Sequence, residues 1–339
     1  MKILTVAIPS YNSEAYMKKA IDHALVGGED VEVLVIDDGS KDSTLEIAKD
    51  YERRYPGIVR AVHQENKGHG GAVNTGLREA TGMYYKVCDS DDFLAYDSYM
   101  KVIEILKEVV SEGRELDAMI CNYVYDKLGA KHKRVMHYTG YLPEKKIFTW
   151  TDIKRNLPSN RYVLMHSLIY RTQMLRDCGF ELPEHCFYVD NLMAFTPMIY
   201  VKTMYYLNMP LYRYFIGREG QSVNEEIMMG RLDQQLRVTR LMIDQYQPDM
   251  VKEKRHLTFL VHYMSIMMTI SSILLMKKNT PESLAEKKQI WKDLQNKDKI
   301  LYARIRFAPL GIGLNLPTEA GRRLAVFIYG IVQKFVGFN

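Results

Sequence analysis

The chain has 339 residues, 47% of them hydrophobic and 26% charged, which is an ordinary globular composition in a chain long enough for two core-bearing parts. Its four cysteines form no CxxC pair, which excludes a cysteine-based metal centre and favours reduced thiols in a cytoplasmic protein. The net charge of +5 is uneven: residues 251–339 contain fifteen Lys/Arg and six Asp/Glu, or +9, so the first 250 residues carry −4. The N-terminus lacks the pattern of a signal peptide and is predicted to be a strand.

The first 95 residues alternate between predicted strands and helices joined by short loops. The strands are predicted at residues 3–8, 31–36, 58–62 and 83–88. Helices are predicted after Ser13, from about Ser43 and over residues 72–80. This alternation predicts a parallel, doubly wound α/β sheet. Ligands bind at the carboxyl ends of the strands in such a sheet. The residues at those ends are Pro9, Tyr11, Asp37, Asp38, Asp89 and Asp91.

The acidic stretch Asp89-Ser90-Asp91-Asp92 follows the last of these strands. Carboxylates crowded at a strand end repel one another, so they need a metal ion, another cation or bulk water. Mg²⁺ or Mn²⁺ fits this need, because both ions bind carboxylate oxygens and complete their coordination with substrate phosphates. The alternative interpretation is a solvated Asp-rich loop or a helix N-cap. The stretch alone leaves both interpretations open.

A glycine-rich segment, residues 66–76, precedes one of the predicted helices. Its glycines let the backbone approach a ligand closely, and the N-terminus of the following helix points at the same place. Lys67 and His69 add positive character. The segment matches neither GxGxxG nor GxxxxGK[ST], so neither a dinucleotide-binding fold nor a P-loop is indicated.

The second part of the chain is predicted to be mixed. A helix is expected at 97–112, a strand at 116–125, a hairpin or long loop at 131–150, and further strands at 162–170, 202–208 and 211–215. His166 is interpreted as a core histidine. From residue 224 onward the pattern is helical. We therefore predict a domain at 1–222, with a nucleotide-binding half at 1–95 and an acceptor-binding half at 96–222, and a helical region at 223–339.

The helical region contains two informative stretches. Residues 257–276 carry no formal charge and are long enough to span a bilayer. Polar residues nevertheless recur at helical spacing along this stretch, which favours a buried helix over a membrane span. The second stretch has an apolar stripe that packs on the protein, in a homo-oligomer or on a membrane. The stripe consists of Leu324, Phe327, Ile328, Ile331 and Phe335.

The charge of residues 251–339 points to an anionic partner. The segment is rich in Ile, Leu, Met and Phe, which fits a membrane surface better than nucleic acid. We therefore expect a cytoplasmic protein that binds the inner face of the cell membrane peripherally, and no nucleic-acid partner.

Five stretches together resemble the family 2 glycosyltransferases of the bacterial surface-polysaccharide type, which have the GT-A fold and act with inversion. The first four lie within the first hundred residues and form a specific ordered set, and the looser match continues to about residue 223. The stretches are residues 7–12, 35–44, 66–76, 89–92 and Val189-Asp190.

The resemblance implies roles for individual residues. Pro9 and Tyr11 border the base, Asp38 accepts a hydrogen bond from it, which favours uracil, and Lys67 lies near the nucleotide. Asp89 sits by the ribose and the metal, and Asp91 binds the metal, Mn²⁺ or Mg²⁺. Asp190 is the catalytic base, although the family usually has Glu where this chain has Val189. The remaining positions expected to line the nucleotide-sugar site are Gly70, Asn74, Ser90 and Arg218.

The function implied is transfer of a sugar from a nucleotide diphosphate sugar, with UDP-sugar favoured, to a hydroxyl of a glycan or a lipid-linked acceptor. A nucleotidyltransferase is an alternative, but such an enzyme is expected to have a Gly-rich loop with Arg and Lys where this chain has Pro9-Ser10-Tyr11-Asn12. A non-catalytic sugar-nucleotide-binding assembly subunit is a second alternative, and the intact Asp89, Asp91 and Asp190 argue against it.

Overall fold

The computed structural model describes residues 1–127, 133–158, 160–216 and 225–336, without the side chains of 225–226 and 332–336. The chain divides into two compact units. Unit 1 comprises residues 1–157 and 163–217, and unit 2 comprises residues 158–162 and 218–339. The nucleotide-binding and acceptor-binding roles of the two halves of the first domain stay predictions.

Unit 1 is built on one mixed β-sheet. Across the sheet the strands follow the order β3-β2-β1-β4-β9-β6-β10-β5, with β7 beside β6 and β8 beside β10. The strands are Leu4–Ser10 (β1), Val31–Asp38 (β2), Val59–Gln64 (β3), Tyr84–Val87 (β4), Phe93–Leu94 (β5), Ala118–Lys127 (β6), Arg134–Met136 (β7), Ile147–Thr149 (β8), Leu168–Arg171 (β9) and Thr203–Ile216 (β10).

The first four strands are parallel, as predicted from their alternation with helices. Every residue of β1 and β2 is buried, because helices cover both faces of this part of the sheet. The register places Ser10 opposite Asp37 and Ala7 opposite Val87. The carboxyl ends of β1, β2 and β4 therefore lie side by side on one edge, which is where a doubly wound sheet binds ligands.

The second part of the sheet is mixed in direction. Strand β9 runs antiparallel to both β4 and β6, while β6 and β10 are parallel. Two predicted strands merge into the single strand β10, whose register shifts on either side of Pro210. Proline cannot donate a ladder hydrogen bond, so an irregularity there is expected. Strands β7 and β8 pair with β6 and β10, not with each other, so over the described residues 133–150 the long-loop alternative fits better than the hairpin.

Helices pack on the sheet of unit 1 through apolar faces. In the first of them Met17, Ala20, Ile21 and Ala24 are buried at helical spacing, as the sequence pattern predicts. The α-helices of this unit are Met17–Leu25 (α1), Thr44–Arg54 (α2), Gly68–Glu79 (α3), Tyr96–Ser111 (α4), Thr172–Asp177 (α5) and Asp190–Phe195 (α6). Short 3₁₀ turns lie at Gly28–Asp30, Trp150–Asp152, Met165–Ser167 and Pro197–Ile199.

In unit 2 the described residues from 225 onward are mainly helical, which confirms the predicted C-terminal helical region. The helices are Glu225–Gly230 (α7), Leu232–Gln245 (α8), Lys254–Lys278 (α9), Pro281–Lys297 (α10), Lys299–Arg306 (α11), Pro309–Leu314 (α12) and Glu319–Val336 (α13), with a 3₁₀ turn at Pro248–Met250.

Helix α9 contains the uncharged stretch and is the one described helix long and apolar enough to cross a membrane. Of its most apolar window, 67% is buried inside the protein. Polar groups on this helix bond to its neighbours: Ser271 lies 2.9 Å from the Thr239 hydroxyl, and Ser272 accepts a hydrogen bond from the Trp291 indole at 3.1 Å. These contacts fit a core helix of unit 2.

Candidate active site

The acidic stretch forms a tight turn at the carboxyl end of β4. The backbone N–H of Asp92 donates to the carbonyl of Asp89 at 3.0 Å, which closes the turn. Asp91 is half-buried and Ser90 is buried. The hydroxyl of Ser90 lies 2.9 Å from that of Ser13, which ties this turn to the loop after β1. Two of the predicted strand ends are thus joined by a direct hydrogen bond.

Asp89 is held by groups from two other elements. His69, in the first turn of α3, bonds to Oδ1 through Nε2 at 2.9 Å. The Tyr212 hydroxyl, from β10, accepts a bond from the Asp89 N–H at 3.1 Å and lies 3.3 Å from Oδ2. Burial raises the pKa of Asp89, but the hydrogen bond and charge of His69 outweigh it, so the pKa lies below its ordinary value. Asp89 is therefore ionised, which is the form in which a carboxylate binds a cation.

Asp92 is anchored differently from Asp89. Its Oδ2 accepts from the Tyr212 hydroxyl at 2.7 Å and its Oδ1 accepts from the backbone N–H of Phe215 at 2.7 Å. Burial and the charge of Asp89 raise the pKa of Asp92 well above its ordinary value. A cation beside both carboxylates would relieve this repulsion, because opposite charge favours the ionised form.

His166 completes a group of possible metal ligands with these two carboxylates. One ligand atom from each of Asp89, Asp92 and His166 lies within 4.8 Å of the others. The imidazole stacks on Tyr212 and Tyr214, with ring centroids 4.5 Å away in each case, and its Nδ1 is buried with no hydrogen-bond partner. Burial lowers the pKa of His166 to about 4, so the ring is neutral. A neutral imidazole with an unsatisfied nitrogen beside two carboxylates fits a divalent cation.

Lys86, on β4, holds the backbone next to this group. Its side chain is fully buried and its Nζ donates to the carbonyls of Met165 and His166 at 3.1 and 2.8 Å. The ammonium also lies 4.7 Å from the ring centroid of Tyr212. Burial lowers the pKa of Lys86 to about 8. The side chain thus fixes both the His166 backbone and the Tyr212 ring.

We expect Lys86→Met to destabilise the protein, because two buried carbonyls would lose their donor at a cost of about 1–3 kcal/mol each. Urea unfolding measures the change in the free energy of unfolding. Lys101→Met is the matched control, since Lys101 is exposed and pairs only with its helix neighbour Glu104. Equal or greater stability of Lys86→Met than wild type would mean that the cost of burying the charge exceeds the value of its bonds.

The loop that leads to Asp190 is fastened to the glycine-rich segment. The Asn74 amide bonds to both the N–H and the carbonyl of Leu182, at 2.9 and 2.8 Å. A Cβ on Gly70 would lie 2.5 Å from the Pro183 carbonyl, so this close approach requires glycine. The His185 N–H donates to the Lys67 carbonyl at 2.8 Å. In the structure Gly70 and Asn74 therefore hold this loop. Their contacts with the nucleotide stay predictions.

This fastened loop carries Asp190 to the acidic turn. His185 and Tyr188 adopt positive φ angles of 49° and 65°, a conformation that costs non-glycine residues of order 1 kcal/mol. Asp190 then begins α6. Burial raises its pKa, the charge of Asp89 raises it further and the charge of His69 lowers it, with a net increase. A carboxylate with a raised pKa is a better proton acceptor than an ordinary aspartate.

The ends of β1 and β2 form the other side of the site. Tyr11 follows β1 and is 48% exposed, so its ring face is open to a ligand. Pro9 is buried opposite Ile36 in the sheet. Asp38 is buried, and its Oδ1 accepts from Gln64 at 2.6 Å and from the Lys67 N–H at 2.8 Å. Asp37 caps the loop after β2, since it accepts from the Ser40 N–H at 3.3 Å, and it bonds to His63 at 2.6 Å.

Lys67 and Arg218 are the two basic residues predicted at the nucleotide-sugar site. The Lys67 ammonium lies 3.2 Å from Glu184 Oε1, and both side chains are about half exposed. Such a pair contributes little to stability, so a phosphate could replace Glu184 at low cost. Arg218 lies outside the described residues.

Sequence reasoning missed three residues of the site, namely His166, Tyr212 and Lys86. His166 was interpreted as a core histidine, and it is buried, but its Nδ1 is unsatisfied. Lys86 carried a local signal, because a lysine within a four-residue strand buried on all sides needs hydrogen-bond partners. Tyr212 carried no local signal, because it is 120 residues from Asp92 in the sequence and only the fold brings the two together.

Comparison with known proteins points to the family that the sequence motifs resemble. Residues 5–167 match the model of the glycosyl transferase family 2. The chain is 29% identical over 226 residues to the uncharacterized glycosyltransferase MG025 of Mycoplasma genitalium, covering 65% of this chain and 70% of that protein. It is 40% identical over 97 residues to the chondroitin synthase of Escherichia coli, covering 28% of this chain and 14% of that protein.

The fold also resembles a solved structure, S. aureus TarS 1-349 in complex with UDP-GlcNAc. The TM-score is 0.69 at 19% identity, and the alignment covers 98% of this chain and 92% of that one. At this identity the likeness concerns the fold, and it confirms the predicted GT-A architecture followed by C-terminal helices.

Proposed function

We propose that the chain, whose residues 5–167 match the model of the glycosyl transferase family 2, is an inverting enzyme that transfers a sugar from a UDP-sugar to a hydroxyl group. The observation that carries the proposal is that the glycine-rich segment both fastens the loop before Asp190 and bonds to Asp89 through His69. In this proposal Asp190 is the proton acceptor and Asp89 is the carboxylate on the phosphate side.

In the proposed reaction the acceptor oxygen attacks the anomeric carbon of the donor sugar from the face opposite the diphosphate. The new bond joins that carbon to the acceptor oxygen, and the bond to the UDP oxygen breaks. Asp190 takes the proton of the acceptor hydroxyl as it attacks. One displacement inverts the anomeric carbon, so no second carboxylate and no covalent sugar–enzyme bond is needed.

We propose that the base binds at the ends of β1 and β2. Tyr11 offers an exposed ring for stacking, and Pro9 forms the floor beside it. The two hydrogen bonds of Asp38 described above both use Oδ1, so recognition of a uracil N–H would fall to Oδ2. The structural relative TarS binds UDP-GlcNAc, which favours the same donor class here.

The diphosphate would lie at the acidic turn. Asp89, Asp92 and His166 would hold a divalent cation there, with Asp91 as a further predicted ligand, and the bound ion would neutralise charge on the diphosphate. The nitrogen of His166 favours Mn²⁺ over Mg²⁺, because Mg²⁺ prefers an all-oxygen octahedral shell. Lys67 and the predicted contact Arg218 would supply positive charge. The proposed product is a bacterial surface glycan, extended on a glycan or a lipid-linked acceptor.

A thermal-shift screen with nucleotides and Mn²⁺ tests the donor class. We expect UDP with Mn²⁺ to raise Tm and UDP alone to raise it less, because a ligand at 100 times its Kd stabilises the native state by about 2.7 kcal/mol. Each kcal/mol of stabilisation raises Tm by about 2–4 °C in a domain of about 150–250 residues. Tyr11→Ala should reduce the shift, and Tyr96→Ala, an exposed tyrosine at the start of α4, is the control.

Two results of this screen would contradict the proposal. Stabilisation by GDP or dTDP in place of UDP would overturn the pairing of Asp38 with uracil. An equal UDP shift in Mn²⁺ and in a chelator would overturn the role of the cation at the acidic turn.

A further inference from the structure

Exposed apolar side chains are concentrated in one segment of unit 2. Of sixteen large hydrophobic side chains exposed in the described residues, eight lie between residues 300 and 331. Single exposed hydrophobic residues are normal, but a concentration of them marks an interaction surface. The eight residues are Ile300, Phe307, Leu310, Ile312, Leu324, Phe327, Ile328 and Ile331.

Four of these side chains form one stripe on α13. Leu324, Phe327, Ile328 and Ile331 follow the spacing of a single helix face, and they are 41–66% exposed. The remaining four lie on α11 and α12 or directly after α11, and α12 packs against both α11 and α13. Phe335, also predicted in the stripe, falls outside the described side chains.

The same segment is strongly basic. Residues 299–331 contain five basic residues and one acidic residue, Glu319, which pairs with Arg323 at 2.7 Å. Two copies of this surface would repel each other, because both carry the same excess of positive charge. A partner with negative charge and an apolar interior is complementary to it.

A cluster of three cations, Lys287, Arg306 and Arg322, lies at the base of this segment. Lys287 is 8% exposed and donates to the Asn315 side chain at 3.2 Å. Asn315 in turn donates to the Gly311 carbonyl at 2.9 Å, and a Cβ on Gly311 would lie 2.8 Å from the carbonyl of Arg306, so Lys287 and Arg306 meet around α12. Burial and the charges of Arg306 and Arg322 lower the pKa of Lys287 to about 8. The Nε of Arg322 is buried without a hydrogen-bond partner, and within the described part of the chain no carboxylate forms an ion pair with any of the three.

These three cations, together with the unpaired Nε of Arg322, favour the binding of an anion. A phosphate group would accept bonds from the two guanidinium groups and compensate the repulsion among the three charges. One kind of partner supplies both an anion for these cations and an apolar interior for the stripe, namely a bilayer that contains anionic phospholipid.

We propose that residues 299–331 form a docking surface for an anionic membrane, with the α13 stripe in the outer acyl region and a lipid phosphate at Lys287, Arg306 and Arg322. The chain then lies on the membrane without crossing it, because the stripe occupies one helix face. This inference does not depend on the proposed sugar transfer.

The test is flotation of the full-length chain with vesicles of phosphatidylcholine, with and without phosphatidylglycerol. We expect binding to the anionic vesicles, weaker binding as salt increases, and little binding to the neutral ones. Phe327→Ser with Ile331→Ser should lower partitioning about tenfold or more. Val135→Ser with Met250→Ser, exposed residues outside the segment, should leave it unchanged.

A second pair of variants tests the phosphate contact. Arg306→Gln with Arg322→Gln should remove most of the preference for anionic vesicles, whereas Arg53→Gln with Arg54→Gln, two exposed arginines of α2, should keep it. Melting curves of all variants establish that each is folded. No vesicle binding at low salt, or equal binding to neutral vesicles, would overturn the proposal.

Three outcomes would point to other ligands and also overturn the proposal. These are stabilisation by inorganic phosphate without vesicle binding, a dimer that Phe327→Ser dissociates, and capture by nucleic acid in preference to vesicles. The readout needs no sugar donor, so failure here leaves the proposed transfer reaction untouched, and failure of the UDP screen leaves the membrane proposal untouched.

Discussion

Asp190→Asn should lower the rate of UDP release from a UDP-sugar by about 10²- to 10⁴-fold, the range of a general base. Asparagine has the same shape as aspartate but cannot take a proton. The loop should keep its position, because its fastening points lie at Gly70 and Asn74 and not at Asp190. We therefore expect Tm and the UDP-dependent thermal shift to stay close to wild type. Hydrolysis of the donor in the absence of an acceptor is a sufficient readout, since water also requires a base.

The dependence of this rate on pH separates a base from a positioning group. A base must be ionised, so the wild-type rate should fall as pH falls through the pKa of Asp190, which burial and Asp89 raise above its ordinary value. This acidic limb should disappear in Asp190→Asn. Asp177→Asn is the control, because Asp177 is exposed on α5 and bonds only to Gln173 among the contacts described. A folded Asp190→Asn with a near-normal rate would refute the assignment.

The sequence predicts the parallel part of the sheet well because its signals are local. Strands β1 and β2 are short, mostly apolar runs, and such runs with short loops and helices between them specify a parallel sheet. Once the sheet is parallel, Tyr11, Asp38 and Asp89 must share one edge. The register of β1 with β2 and β4 agrees with this.

The other side of the site depends on contacts between distant parts of the chain. Asn74 bonds to Leu182, 108 residues away, so no local pattern distinguishes a phosphate loop from a loop that fastens another loop. The glycines of this segment suit both purposes, since each needs close backbone approach. His166 reaches the acidic turn because β9 pairs antiparallel between β4 and β6, a direction that periodicity does not reveal.

His166→Phe should raise the Mn²⁺ concentration needed for the UDP-dependent thermal shift by about 10- to 100-fold or more, the range seen when the surroundings of a bound metal are altered. Phenylalanine keeps the stacking on Tyr212 and Tyr214 but has no nitrogen to offer. The bonds of Lys86 to the carbonyls of residues 165 and 166 involve the backbone, so they survive the substitution. The metal titration is followed at fixed UDP, with Tm in the absence of metal as the check that the fold is intact.

His262→Phe provides a closely matched control for this effect. His262 is also largely buried, burial also lowers its pKa, and its Nε2 likewise has no hydrogen-bond partner. It lies on α9 of unit 2, outside the ligand group formed by Asp89, Asp92 and His166. If an unsatisfied imidazole matters only as a packing element, both variants should change Tm and neither should change the metal titration. A shift confined to His166→Phe would instead mean that its nitrogen matters because it faces two carboxylates, and the absence of that shift would remove His166 from the metal site.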